Sequence, residues 1–593
     1  MNKLSKLRGL MEQRGIYAYI APTDDFHGSE YVGDHFKLRE YLSGFTGSAG
    51  TLIVTLDEAR LWTDGRYFIQ AEKELDGSGI ELMRSGESGV PTIEEYLEKT
   101  LPNGSVLSFD GRTVSAAFAE KLNKRLSEKD ILLVGADLGG MVWEDRPPLS
   151  KKPVFSLPES LCGMSAEEKI GKIREKLRKS SADCLVVSAL DEIAWTLNLR
   201  GGDVDYNPVF LAYMAIFENE IFLFTHYEIF AQKIVINLEK IGVKFSPYDI
   251  VYNAQIWRDK TVWLDSRAVN FSLRNAIKKH SKKIIDKTSP IVLMKAVKNS
   301  AEIEAEKLAH LMDGAAVTRF MYWLKNTVGK ERITEISAAE KLEEFRKKTS
   351  KTFKEKEVKY LGQSFEPIMA YGDHAAIVHY SATEESDREI LPRGMLLSDT
   401  GGHYLQGTTD ITRTFVLGEI TEEERRAFTI VLAGNMELLH AVFPKGLRGS
   451  ALDAIARKPL WQHGMEFNHG TGHGVGFLLN VHEGPQRIAW RAVNDAPLEA
   501  GMITSDEPGY YVEGKFGIRH ESLILCKQSG MEGFLCFEPL TLVPFDRDGI
   551  APSLMTIEQR SYLNDYHKLI YEKLSPHLPK EEAKWLKQIT EPI

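Results

Sequence analysis

The stretch "NHGTGHGVGFLLNVHEGP", Asn468 to Pro485, sets three histidines among five glycines. Imidazole brings a neutral nitrogen donor or a proton carrier that works near neutral pH. Glycine allows positive φ and lets the backbone come close to a ligand. His473, inside Gly-His-Gly, reads as a metal ligand, and His469 and His482 are spaced to line the same cavity. Four acids stand in equally polar surroundings: Asp399 and Asp410 in "LLSDTGGHYLQGTTDITRTF", Glu507 in "ITSDEPGYY" and Glu521 at the head of "SLIL". His379 lies in "IVHYSA", read as an apolar strand. Each has a plainer alternative. Aspartates beside glycine usually serve turns or caps, a glutamate can pair with Arg519, and a lone histidine is usually just packed.

Summed charge favours the chemical reading. Four carboxylates balance two divalent cations, and His473 adds a nitrogen. The set is rich in oxygen and free of thiolate, which suits Mn(II) better than a structural zinc site. Between two such ions a bridging water ionises readily, giving a hydroxide nucleophile at neutral pH while both ions polarise a carbonyl.

Such a set needs elements to hold it. Asp399 and Asp410 are eleven residues apart across a glycine-rich turn, so a hairpin brings both to one point. Upstream, a helix leads to the strand-like IYAYIAP, the turn TDDFHG, and the strands LIVTL and RLWTD. From Ser165 the order recurs: helix EEKIGKIREKLRKS, strand CLVVSAL, an acidic turn at Asp191-Glu192, then strands FLAYMAIF and IFLFT. Proline-rich "MVWEDRPPLSKKPVFSLPES" separates the copies. A long amphipathic helix opens near residue 300, capped by Asn299 or Ser300, with Glu302 and Glu304 in its first turn and Lys307 three residues after Glu304. The division is 1–150, 151–299 and 300–593.

Bulk properties agree with several domains, since 593 residues at 43% hydrophobic exceed the about 250–300 that one core usually serves. A net charge of −10 without a basic run points away from nucleic acid and anionic membranes. The N-terminus lacks an export signal, and no apolar run nears the ~20 residues of a membrane span. Cys162, Cys184, Cys526 and Cys536 have no metal or disulfide spacing and read as buried thiols of a reducing, cytoplasmic compartment.

The ordered series Asp399, Asp410, His473, Glu507, Glu521, set in "DTGGHYLQGTTDITRT", "HGTGHGVG", "DEPGYY" and "GIRHE", resembles the pita-bread metallopeptidases and specifically the Xaa-Pro aminopeptidase (aminopeptidase P) family. "GFTGSAGTLIV", "LWTDGRYFIQA", "DEIAWTLNLRGGDVDYNPVF" and "FEPLTLVP" extend the likeness to the long, three-domain, cytosolic form over nearly the whole chain. The resemblance implies two creatinase-like α/β domains before an α+β pita-bread catalytic domain, two Mn(II) ions and a homodimer. It implies Asp399 and Asp410 on one ion, His473 and Glu507 on the other, and Asp410 and Glu521 bridging. It makes His379 and His482 contacts of the scissile peptide, His469 a wall of the proline subsite, and Arg519 the arginine beside the bridging glutamate. Where the family usually has isoleucine this chain has His520. Strand alternation would turn His520 away from Arg519 and Glu521. Ser522, often Asn or Asp in relatives, is expected to alter hydrogen bonding more than chemistry.

The activity implied is removal of any N-terminal residue that precedes proline. The alternatives are a prolidase restricted to dipeptides, a methionine aminopeptidase, a metal-free creatinase-like hydrolase and a non-catalytic protein-binding module. The two extra domains argue against the first two, and the complete ligand set argues against the others.

Overall fold

The computed structural model describes residues 3–352, 358–492 and 495–593. The chain forms two compact units, residues 1–157 with 164–291, and residues 158–163 with 292–593.

The first unit holds two six-stranded sheets. One runs Glu81–Arg84, Ala59–Thr63, Thr51–Thr55, Ala18–Pro22, Val106–Phe109, Leu132–Gly135; the other runs Val243–Pro247, Ile221–Thr225, Ala212–Phe217, Cys184–Val187, Thr261–Leu264, Lys283–Asp286. Counted in chain order, both are 4-3-2-1-5-6. In both, strands 1, 2 and 3 pair antiparallel and the remaining neighbours pair parallel. The repeat read from element order is thus a repeat of topology. Side chains of Ala18–Pro22 alternate between two cores, Ala18 and Ile20 on one face and Tyr19 and Ala21 on the other, as period-2 geometry requires. Helix Lys3–Gln13 covers one face through Leu4, Leu7 and Met11.

One expectation is corrected in the second copy. Asp191 and Glu192 form no turn; they occupy the first turn of helix Leu190–Leu197. Acids favour that position because the helix N-terminus carries partial positive charge. Ile193, Ala194 and Leu197 then fall at helical spacing and are buried.

The second unit opens with helix Ser300–Thr327, 28 residues long. Asn299 caps it, its side-chain oxygen accepting from the amides of Ala301 and Glu302, while Glu302 accepts from the Asn299 amide at 3.0 Å. Glu304 and Lys307 pair at 3.4 Å. Strands Ile368–Tyr371, Met395–Thr400 and Ile411–Val416 form one antiparallel sheet. A second contains Val442–Pro444, Phe534–Pro539, Ser522–Gln528 and Ile503–Asp506, and short ladders join Gly472–His473 to Arg487–Ile488 and Gly509–Val512 to Phe516–Arg519. Helices Glu422–Leu439 and Gly449–Trp461 pack on these strands through Phe428, Val431, Leu452 and Leu460. Cys162, Cys184 and Cys526 are buried thiols as expected, whereas Cys536 is half-buried. No helix among the described residues is long and apolar enough to cross a membrane.

Candidate metal centre

Asp399 is the penultimate residue of the buried strand Met395–Thr400, and Asp410 precedes its antiparallel neighbour Ile411–Val416. Pairing of Asp399 with Thr412 and Thr400 with Ile411 closes the predicted hairpin. The intervening residues make a small hairpin of their own, Gly402–Tyr404 with Gly407–Thr408. His473 sits in the short strand Gly472–His473, Glu507 follows Ile503–Asp506, and Glu521 precedes Ser522–Gln528.

These elements converge. Ligand atoms of Asp410, His473 and Glu521 all lie within 4.8 Å of one another. His473 Nε2 is 3.5 Å from Asp410 Oδ2 and 3.5 Å from Glu507 Oε1. His473 Nδ1 faces the Gly474 carbonyl at 3.0 Å. A proton on Nδ1 donates there and leaves the Nε2 lone pair aimed at the carboxylates, the tautomer that ligates a metal. Asp399 Oδ2 accepts from Arg519 at 2.6 Å, while its buried Oδ1 has no hydrogen-bond partner among the described residues. Glu521 Oε2 accepts from Thr412 Oγ1 at 2.7 Å, and Glu507 Oε1 from Ser505 Oγ at 3.0 Å.

The electrostatics are those of a site built for cations. Burial, followed by Asp410, Glu507 and Asp399, pushes Glu521 well above the usual carboxylate range. Burial also raises Asp399 and Glu507, although Arg519 opposes both shifts. Burial pulls the His473 imidazole down, but Asp410 and Glu507 outweigh it and carry it up to about 9. Carboxylates crowded out of water bind protons unless a stronger cation replaces them. The donor set therefore fits hard divalent ions, and loading them would displace protons.

Arg519, available in the sequence to a glutamate, pairs instead with Asp399. It also donates to Tyr511 Oη at 2.7 Å and to the Val378 carbonyl at 3.4 Å. Tyr511 Oη reaches His469 Nε2 at 2.9 Å, and His469 Nδ1 reaches the Gly470 carbonyl at 2.7 Å. Burial, then Arg519, lowers His469 to about 3, so its ring is neutral and accepts from the phenol. His482 is half-buried, its ring perpendicular to that of His473 at 4.3 Å. His379 is half-buried and lies in a turn after the short helix Gly372–Ala376, not in the predicted strand. Four apolar or aromatic residues cannot distinguish strand from turn, and Ile377 and Tyr380 satisfy their burial by packing with Ile368, Ala370 and Leu397. His520 and Glu521 fall between strands Phe516–Arg519 and Ser522–Gln528, so strand alternation does not govern them; His520 lies edge-on to Phe428 at 4.4 Å and near Phe545 at 5.4 Å. Ser522 Oγ accepts from Arg413 at 3.3 Å.

The glycines act differently from expectation. Gly470, Gly472, Gly474 and Gly476 are not at positive φ. Space is the constraint: a Cβ on Gly472 would stand 2.0 Å from the Ser505 carbonyl oxygen, and one on Gly474 2.0 Å from that of Glu483. Strands that carry ligands thus approach one another through backbone.

Several supporting residues escaped the sequence reading. Lys295 and Lys298 flank Glu483 at 2.9 and 3.8 Å, with all three side chains at most 3% exposed, and the Glu483 amide bonds Gly474 at 2.8 Å. Two lysines three apart in the apolar "IVLMKAVKN" were the available signal. Arg457, held by Asp453 at 2.6 Å, donates to the His469 carbonyl at 2.7 Å. Asp453 in turn accepts from Thr471 at 2.6 Å.

Comparison with known proteins agrees with this architecture. Residues 304–528 match Metallopeptidase family M24, residues 533–593 the C-terminal region of that family, and residues 3–146 and 145–302 each a Creatinase/Prolidase N-terminal domain. A probable Xaa-Pro aminopeptidase P of Laccaria bicolor is 40% identical over 100% of this chain and 93% of its own length. Xaa-Pro aminopeptidase 1 of Dictyostelium discoideum is 38% identical over 100% and 96%. The crystal structure of X-prolyl aminopeptidase from Caenorhabditis elegans, described as a cytosolic enzyme with a di-nuclear active site, superposes with a TM-score of 0.94 at 35% identity, covering 100% of this chain and 99% of that one. A prolidase from Thermococcus sibiricus shares the fold over 64% of this chain, with a TM-score of 0.51 at 22% identity. With its paired creatinase-type domains and its M24 unit, the chain belongs to the Xaa-Pro aminopeptidases, hydrolases of metallopeptidase family M24.

Proposed function

We propose that the chain hydrolyses the bond between an N-terminal residue of any type and a proline in second position, with two Mn(II) ions. The observation that carries this is the convergence of Asp410, His473, Glu507 and Glu521, buried or half-buried, beside an Asp399 whose Oδ1 is unpaired. Asp399 and Asp410 would hold one ion and His473 and Glu507 the other, with Asp410 and Glu521 shared between them. Two divalent ions there would supply an activated water and polarisation of the first carbonyl.

The chain's own groups do the rest. His379 and His482 face the scissile peptide, stabilise negative charge developing on its oxygen and pass a proton to the leaving nitrogen. That nitrogen belongs to proline, is tertiary, and leaves only when protonated. His469, fixed by Tyr511 and the Gly470 carbonyl, walls the proline ring. Arg519 orients Asp399 and keeps one of its oxygens out of competition for the ion. The substrate's α-amino group sits against the carboxylates.

Domain boundaries fall near 150 and 300, which the spacing of the two repeated sheets supports. We place the enzyme in the cytoplasm, which the cytosolic description of the nematode relative supports, acting on peptides and not on nucleic acid or membranes, which the net charge of −10 supports; a homodimer follows from the family resemblance alone.

The test strips metal with a chelator, restores Mn(II), and compares release of arginine from Arg-Pro-Pro and Arg-Ala-Pro. Mn(II)-dependent cleavage of the first with little of the second is expected. Equal cleavage of both would remove the proline specificity, and no cleavage of either with metal bound would leave a binding module.

A further inference from the structure

Glu335 is the first residue of helix Glu335–Thr352 and is fully buried, far along the chain from the ligand set. No lysine or arginine side chain forms an ion pair with it among the described residues. Its charge is met instead by converging donors. Oε1 accepts from the Tyr371 amide at 2.8 Å and faces His374 Nδ1 at 2.9 Å. Oε2 accepts from Tyr380 Oη at 2.8 Å and from the Arg388 amide at 3.2 Å. All four donors lie in one segment, Tyr371 to Arg388, and that segment contains His379.

Another part of the segment rests on strand Phe516–Arg519, which ends in the arginine that pairs with Asp399. A Cβ on Gly517 would stand 1.7 Å from the Ala375 carbonyl, so strand Phe516–Arg519 lies against helix Gly372–Ala376 backbone to backbone. Arg519 then donates to the Val378 carbonyl at 3.4 Å. The residues flanking His379 are therefore anchored in different directions: Val378 to the arginine that holds Asp399, and Tyr380 to Glu335. A turn has no ladder of its own to fix a side chain, so its geometry depends on such anchors.

We propose that Glu335 is a positioning residue for the reaction: its buried carboxylate gathers the Tyr371–Arg388 segment and so sets the position of His379. This rests on the role given to His379 above. Glu335 touches neither substrate nor metal. It acts by holding an oxyanion or proton-transfer group in register, where a misplacement of about 1 Å costs on the order of 10²-fold in rate.

The experiment is a double-mutant cycle on the Mn(II)-loaded full chain, read as kcat, KM and bound metal. Glu335→Gln keeps the side-chain shape but replaces an acceptor oxygen with a donor NH2 among donors. It is expected to lower kcat by about 10-fold or more, with KM changed less and metal content unchanged. In a His379→Ala background the same substitution is expected to cost less than about 3-fold, because groups that act as a unit are not additive. Equal losses in both backgrounds, or no loss in either, would overturn the proposal and leave Glu335 a residue of stability alone. Should Glu335→Gln fail to fold, Tyr380→Phe removes one anchor beside His379 and is read by the same cycle, with the same coupling expected. If His379→Ala alone leaves kcat intact, the role of His379 falls, an outcome distinct from loss of coupling.

Discussion

At the scale of single residues, the cluster is governed by the cost of burying carboxylates. Asp399, Asp410 and Glu521 are at least nine-tenths buried, and among the described residues only Asp399 of the three forms an ion pair with an arginine. Removing one charge by Asp410→Asn leaves the remaining set short of the four that two divalent ions require. We expect bound metal, measured by elemental analysis after dialysis, to fall from two ions to one or none, with activity lost. Full metal content and activity in that variant would sink the assignment of Asp410. Sequence patterning pointed to all five proposed ligands because each breaks a local rule, an acid or histidine set in glycine or at the head of an apolar strand. Glu335 breaks no such rule. A glutamate at a helix N-terminus is ordinary, and its burial depends on residues 36 to 53 positions away.

At the scale of elements, the glycine-rich strand is shaped by contact and not by φ. Gly472→Ala would drive a methyl against the Ser505 carbonyl of a neighbouring strand, backbone that has no rotamer in which to yield. Loss of about 3 kcal/mol is expected, the upper part of the range for overpacking, together with weaker metal binding through displacement of His473. Gly470→Ala is the control, since its Cβ would meet the Ala489 side chain at 3.3 Å, and a cost under about 1 kcal/mol is expected. Urea unfolding of both variants measures the difference; equal costs would show that close approach is not what selects glycine at Gly472. The composition announced unusual backbone, but which strand would press upon it depended on sheet register.

At the scale of the molecule, stability should depend on pH through histidines buried neutral. His567 is fully buried and its Nε2 accepts from the Phe545 amide at 3.2 Å. Burial, with Arg413 and Arg547 adding to it, lowers it to about 3. An unfolded histidine titrates near 6.5. Between those values the unfolded chain holds a proton that the folded chain does not. The contribution of His567 is therefore complete above about pH 6.5 and is lost as pH falls, at up to about 1.4 kcal/mol per unit. His567→Gln keeps an acceptor but does not titrate. Between pH 7 and 5.5 the parent should lose about 1.3 kcal/mol more than the variant in urea unfolding. Identical losses would remove His567 from the pH dependence.

The sequence by itself determined the element order, the repeated α/β arrangement, the Asp399–Asp410 hairpin and the identity of the ligand candidates. These follow from local spacing, which strands and helices convert directly into faces. Tertiary structure decided what local spacing does not encode: that Arg519 serves Asp399, that His379 stands in a turn, and that buried Lys295, Lys298 and Glu335 brace the loops. Each depends on groups distant in the chain meeting out of water, where an unpaired charge or donor is costly and a partner is therefore fixed.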